Sequence, residues 1–137
     1  MILVTGASGF IGSRLVRRLQ HDGYQIAPDL RCIQTGMMIP SMAQRAVQDC
    51  DCVVHCAGET QNWMAMHGTN VRLTEWLLEA SITAGVQQFI YLHTAAKSVE
   101  TDSLAHREYV RTKALGYAAV CRARGTIGCC AVILPTV

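Results

Sequence analysis

At 137 residues the chain is one domain's length, enough to bury roughly 70% of its unfolded surface without a covalent staple. Half of its residues are hydrophobic and 16% are charged, which argues against a disordered chain, and a net charge of +2 gives no electrostatic case for a nucleic-acid or membrane partner. Seven cysteines are an odd number without a CxxC pair, no run of about 18 apolar residues occurs, and no signal-peptide pattern precedes Ile2, so a reduced cytoplasm is the expected location.

Ile2, Leu3 and Val4 form a short apolar run, the pattern of a buried strand. Over residues 10–21 the period changes: Phe10, Ile11, Leu15, Val16 and Leu19 recur at helical spacing, Arg14, Arg17 and Arg18 fall on the opposite, solvated side, and Gly23 is the expected stop. Residues 24–27 read as a second strand broken by Pro28, and 44–48 as the end of a helix. Residues 52–56 read as a strand, and 62–84 as a long helix stopped by Gly85. Residues 89–92 read as a strand, 106–124 as a helix ending at Gly125, and 130–134 as a last strand before Pro135. Strands that are apolar on both faces and alternate with helices predict an α/β fold with a doubly wound parallel sheet, and residues 1–137 form a single domain.

Gly6, Gly9 and Gly12 stand three apart between the first strand and the first helix. Glycine weakens regular structure, so three in this place need a reason. In a phosphate-binding turn the first allows the tight turn, the second lets backbone approach a pyrophosphate, and the third lets helix and strand pack closely. Free N–H groups at the helix start favour the anion. A turn that needs glycine for its own geometry reads the same way, and a lone glycine triplet does not separate the two.

Thr5-Gly6-Ala7-Ser8-Gly9-Phe10-Ile11-Gly12 resembles the TGxxGxxG fingerprint of the extended short-chain dehydrogenase/reductases, the branch that contains nucleotide-sugar epimerases and dehydratases. Residues 50–58, reading CDCVVHCAG, are similar to the family's strand and loop that lie along the cofactor. Asn70-Val71 is similar to its NVxGT element, with Leu73 where glycine is usual. Ile133-Leu134-Pro135-Thr136-Val137 resembles its ILRPTV strand without the arginine. The resemblance implies a Rossmann-like sheet and NAD or NADP as cofactor. It implies cofactor contacts from Gly6, Ser8, Gly9, Phe10, Ile11, Gly12, Cys56, Ala57, Gly58, Asn70, Tyr109 and Lys113.

Tyr109 and Lys113 form YxxxK, and on a helix positions i and i+4 share a face. A free tyrosine titrates near 10 and is a poor base at neutral pH, and a neighbouring ammonium favours the phenolate. The stretch FIYLHTAA, residues 89–96, is similar to the family's FIYxSSAA. That places Thr94 as the catalytic serine/threonine and His93 where a second serine is common. By resemblance Thr94 holds a substrate hydroxyl, Tyr109 moves its proton and the nicotinamide accepts hydride.

Other residues invite different readings. Cys50, Cys52, His55 and Cys56 suggest a metal, but on a strand Cys52 and Cys56 share one face and His55 the other, so no metal site is expected. Cys129 and Cys130 read as strand core, and Trp63, Met64 and Met66 as packing.

The sequence departs from its family in three places. Residues 31–39 are too few for both a crossover helix and a third strand, so the sheet is expected to be shortened between its second and fourth strands. An acid at the end of the second strand favours NAD and an arginine NADP; Asp29 and Arg31 both lie there, with a lean to NAD. The chain stops where the family's substrate lobe begins, and the stretch from Val99 to His106 is short. The expectation is therefore an NAD(P)-dependent epimerase/dehydratase-type domain acting on a nucleotide sugar. The alternatives are a non-catalytic dinucleotide-binding sensor or structural subunit, or a truncated remnant. A homodimer or a completing second chain is the expected assembly.

Overall fold

In the computed structural model, which describes residues 1–28 and 40–135, the short apolar runs become parallel strands. These are β1 (Ile2–Thr5), β2 (Cys52–His55), β3 (Gln88–Thr94) and β4 (Gly128–Leu134), hydrogen-bonded in that spatial order. All three pairings are parallel, with Val4 opposite Val54, Val54 opposite Ile90, and Ile90 opposite Cys130. Parallel neighbours cannot be joined by a tight turn. The intervening chain forms helices α1 (Phe10–His21), α2 (Pro40–Ala46), α3 (Trp63–Met66), α4 (Leu73–Ala84) and α5 (Leu104–Ala123). A π-helical turn, His67–Arg72, joins α3 to α4.

Side-chain alternation along the strands divides the core in two. Leu3, Val53, Phe89 and Tyr91 face α2, α4 and α5 and pack with Leu73, Leu77, Val120 and others into the larger cluster. Val4, Val54 and Leu92 face the other way, towards Leu15, Val16 and Leu19 of α1. The sheet is thus wound on both sides, but unevenly. On the α1 side a groove of about 680 Å³ stays open, lined by Leu15, Val54, Ile90, Leu92, Val132 and Leu134 among others.

This imbalance accounts for the misplaced sequence expectations. Cys130 is exposed and Cys129 only half-buried, because β4 ends the described sheet and α1 does not reach across to it. Phe10 and Ile11, apolar positions of the predicted helix, stay 75% and 41% exposed. Trp63 and Met64 are exposed too, and only Met66 of that trio is fully buried. The strand expected over residues 24–27 is reduced to one bridge, Ile2 with Ile26, closed by Ile2 N–H donating to Gln25 C=O (2.9 Å) and Ala27 N–H to Ile2 C=O (2.8 Å). The expectation of a missing third strand, with Asp29 and Arg31, lies outside the described residues. Among those residues no helix is long and apolar enough to cross a membrane.

One glycine is required where two helical segments meet. A Cβ at Gly116 of α5 would stand 2.5 Å from the Asn70 carbonyl oxygen and 2.6 Å from the Tyr91 hydroxyl. Asn70 lies in the π-helical turn, so α5 and this turn pack backbone to side-chain face. Gly116→Ala is expected to cost about 1–3 kcal/mol, as overpacking does. Gly68→Ala, on the same turn with nothing within 4 Å of its Cβ position, should be neutral or stabilising by up to about 1 kcal/mol. Paired thermal melts of the two variants read the difference.

Candidate functional site

The chain leaves β1 for the edge at Ile26 and returns to the opposite side as β2, which puts the carboxyl end of β1 at the point where the sheet's winding reverses. Open α/β sheets bind ligands at such points. The glycine turn sits here. Gly6 has φ +68°, and a Cβ on it would lie 2.7 Å from Ala57 N. Gly12 is buried on the first turn of α1, where a Cβ would collide with the Gly6 carbonyl. The bare α-carbons of Gly6 and Gly12 are thus filled by the protein's own backbone. Gly9 differs: it is exposed, it caps α1, and its Cβ position meets only Gly6 O, at 3.2 Å.

The cap position of α1 is a glycine, Gly9, which has no side chain to cap the helix, and no acidic residue lies in its first turn. The first N–H groups of a helix lack intrahelical acceptors and sit at the positive end of its dipole. A twelve-residue helix whose cap position is an exposed glycine fits a phosphate group. Ser8, Phe10 and Ile11 are all exposed around it.

The loop after β2 faces this turn. Ala57 is buried against Gly6, Cys56 is half-buried and Gly58 is exposed. Burial pushes the Cys56 thiol up to about 11, against the opposing pull of the Lys113 ammonium, so it is not a reactive thiolate. Asn70 holds this loop from beneath. Its Oδ1 accepts from Glu59 N–H (2.8 Å), and its Nδ2 donates to Glu59 C=O (3.0 Å) and to Thr112 Oγ1 (3.0 Å). At 1% exposure the Asn70 amide is committed inside the protein; it shapes the cleft through the loop. Glu59 in turn accepts three successive N–H groups, of Thr60, Gln61 and Asn62, which lower its pKa.

Helix α5 carries Tyr109 and Lys113 one turn apart, as their spacing predicts. Tyr109 is half-buried, whereas Lys113 is buried. The Lys113 ammonium donates to Leu92 C=O (2.5 Å) and sits 4.3 Å from the centre of the Tyr91 ring. Burial pulls its pKa down to about 8, opposed by Cys56. Two residues beyond Leu92, Thr94 Oγ1 accepts from Ala96 N–H at 3.0 Å. Among the described residues no side-chain hydrogen bond joins Thr94, Tyr109 and Lys113 to one another. His93, between Leu92 and Thr94, stacks on Tyr117 with ring centroids 4.6 Å apart, and its Nδ1 has no hydrogen-bond partner among the described residues.

The chemistry available is therefore an anion seat at the head of α1, a cation near the ends of β2 and β3, and hydroxyls at Thr94 and Tyr109. The set fits a dinucleotide, with the diphosphate at α1 and hydroxyl groups within reach of Lys113. Sequence reasoning missed Thr5, His55, Tyr91, Thr74 and Thr112, buried polar or aromatic residues that support these groups. The one available signal was polarity inside otherwise apolar strand and helix faces.

Residues 2–136 match the model of the NAD dependent epimerase/dehydratase family. The chain is 29% identical over 149 aligned positions to the low-salt glycan biosynthesis protein Agl12 of Haloferax volcanii, covering 82% of this chain and 48% of that protein. Among solved structures it is similar to MoeE5 in complex with UDP-glucose and NAD, with a TM-score of 0.73 and 27% identity over 98% of this chain and 53% of that one. A short-chain dehydrogenase/reductase superfamily protein from Agrobacterium tumefaciens with bound NAD gives a TM-score of 0.76 and 25% identity, over 98% and 48%. The chain thus spans about half the length of these relatives.

The buried lysine makes stability depend on pH. A folded-state pKa of about 8 against an ordinary 10.5 means that the unfolded chain binds the extra proton between those values. Stability contributed by this group therefore rises as pH climbs from about 8 to 10.5. Lys113→Met should lose that rise, so native stability relative to the variant should improve by up to about 3 kcal/mol across the window. Urea unfolding at pH 7.5, 9 and 10.5 measures it.

Proposed function

The chain belongs to the NAD-dependent epimerase/dehydratase family, and from that premise we propose that it is a dinucleotide-binding oxidoreductase domain. Its proposed reaction oxidises or reduces a hydroxyl-bearing carbon of a nucleotide sugar. The observation that carries the reading is that the amino end of α1, which follows β1, and the Lys113 ammonium, bonded to Leu92 on β3, both lie on the carboxyl side of the sheet with β2 between them.

Gly9 and the first N–H groups of α1 would hold the cofactor's diphosphate. Cys56, Ala57 and Gly58 would line its path, and Lys113 would receive its ribose hydroxyls. A bound nicotinamide supplies a hydride acceptor and donor. The protein's own groups do the rest. Thr94 Oγ1 accepts from the Ala96 N–H, which leaves its hydroxyl proton to donate to a substrate oxygen. Tyr109 gives or takes a proton at its phenolic oxygen. Lys113 spends one donor on Leu92 C=O and keeps two for hydroxyls in the cleft. Its charge at neutral pH, below its titration near 8, favours the deprotonated phenol. Of the two cofactors NAD is favoured, on the sequence argument from Asp29.

A second reading, a dinucleotide-binding subunit without turnover, is supported by the lack, among the described residues, of a direct hydrogen bond joining Thr94, Tyr109 and Lys113.

Fluorescence titration with NADH and NADPH tests the first element. Saturable binding is expected, tighter for NADH, and no binding at millimolar concentration overturns both readings. Tyr109→Phe should then keep cofactor affinity and lower hydride transfer to nucleotide sugars by about 10²–10⁴-fold, the usual contribution of a general acid–base. Binding without turnover in the native chain selects the second reading.

A further inference from the structure

His55 lies at the centre of the molecule, is fully buried, and has no part in the reaction proposed above. Its two ring nitrogens meet two threonines: Nδ1 lies 2.6 Å from Thr5 Oγ1 and Nε2 lies 2.9 Å from Thr74 Oγ1. The proton positions follow from the neighbours. The Thr74 hydroxyl donates to Asn70 C=O at 2.9 Å, so its oxygen is left to accept from His55 Nε2–H. A neutral imidazole carries one N–H, so Nδ1 is bare and accepts the Thr5 hydroxyl. The Thr5 oxygen in turn accepts Ala57 N–H at 3.3 Å.

The chain of bonds continues in the other direction. Asn70 Nδ2 donates to Thr112 Oγ1, and the Thr112 hydroxyl donates to Glu108 C=O at 2.7 Å. Thr5 directly precedes Gly6, and Ala57 is the residue that Gly6 packs against. Thr112 directly precedes Lys113. The route therefore runs without a break from the glycine turn, through β2 and the helix after it, to α5. Every side chain on it is at most 1% exposed, where an unmade hydrogen bond is costly and geometry is narrowly defined. Charging the ring would break the pattern. Burial, with the Lys113 charge second, holds the His55 pKa at about 3, so the arrangement persists across the neutral range. Tyr91, the nearest aromatic neighbour on β3, has its ring 5.8 Å away.

We propose that His55 is a positioning residue: locked as one tautomer between Thr5 and Thr74, it fixes the glycine turn in register with the helix that bears Tyr109 and Lys113. The proposal rests on reading this cleft as a dinucleotide site, since a ligand that touches both ends needs their spacing held. It predicts coupling between groups that do not touch. The Thr74 hydroxyl bonds to His55 and Asn70 and to neither Ala57 nor the glycine turn among the described residues, yet removing it should loosen both.

Native-state hydrogen exchange on the full chain, free of ligand, tests this directly. Thr74→Val is expected to speed exchange of the Ala57 amide roughly tenfold relative to amides in the core of β3, a ratio that removes any global loss of stability. Thr74→Ser, which keeps the hydroxyl, should restore the native ratio. NADH affinity should fall about three- to tenfold in Thr74→Val and recover in Thr74→Ser, the range of one neutral hydrogen bond. A purely structural role would lower the melting temperature and leave both readouts unmoved. Nitrogen-detected NMR of the native ring needs no variant: one Nε2–H tautomer, unchanged from pH 7 to 5, is expected. An Nδ1–H tautomer, a ring that charges above pH 5, or an unchanged Ala57 exchange ratio overturns the proposal. A native chain that binds no NADH refutes the cofactor reading instead, and the exchange ratio then decides the coupling by itself.

Discussion

The close approach of the β1 turn to the β2 loop is the constraint on which the rest of the molecule depends. Gly6 adopts a left-handed conformation with Ala57 backbone where a side chain would be. Only a residue without a Cβ tolerates both demands. That turn follows directly on the β1–β2 pairing, which sets Thr5 opposite His55 with Thr5 Oγ1 2.6 Å from His55 Nδ1, and leads into α1 at Phe10. From His55 the hydrogen bonds pass to Thr74, Asn70 and Thr112, so the loop after β2 and the helix bearing Lys113 are referred to the same point. The exposed glycine turn and the buried Lys113 cation are joined by one polar interior rather than by separate local devices.

The two faces of the sheet are held differently. Towards α2, α4 and α5 the packing is dense, with Phe89, Tyr91, Leu77 and Val120 at or near zero exposure. Towards α1 the core is a thin cluster around Val4, Val54 and Leu92, and Val132 of β4, opposite Leu92, remains 42% exposed. Parallel sheets are ordinarily covered on both faces. The functional groups lie at the carboxyl edge and do not depend on the open groove: Lys113, Tyr91 and Asn70 are all anchored on the densely packed side.

Much of this was legible in the residues. The glycine spacing, the apolar runs and the one-turn separation of Tyr109 and Lys113 each correspond to a local rule of backbone geometry, and the elements appear within a few residues of where those rules place them. What escaped was set by distant neighbours. The strand at 24–27 carries the right residues but, among the described residues, makes only one bridge, that of Ile26 with Ile2. Cys130 looks like core and is exposed, because no helix among the described residues covers that part of the sheet. Asn70 looks like a cofactor ligand, yet its amide is consumed by Glu59 and Thr112.

The sequence by itself determined the order of strands and helices, the glycine turn and the family, because those depend on short-range periodicity and on which residues lack a Cβ. Only the tertiary structure decided which bare α-carbons face the protein and which face outward. It also decided that His55 is a buried hydrogen-bonded hinge point and that Lys113 is seated on Leu92 and Tyr91. The physical reason is that the partner of a buried polar group is chosen by packing: Thr5 and His55 are 50 residues apart in the chain and in hydrogen-bond contact in the fold, a distance no local pattern encodes.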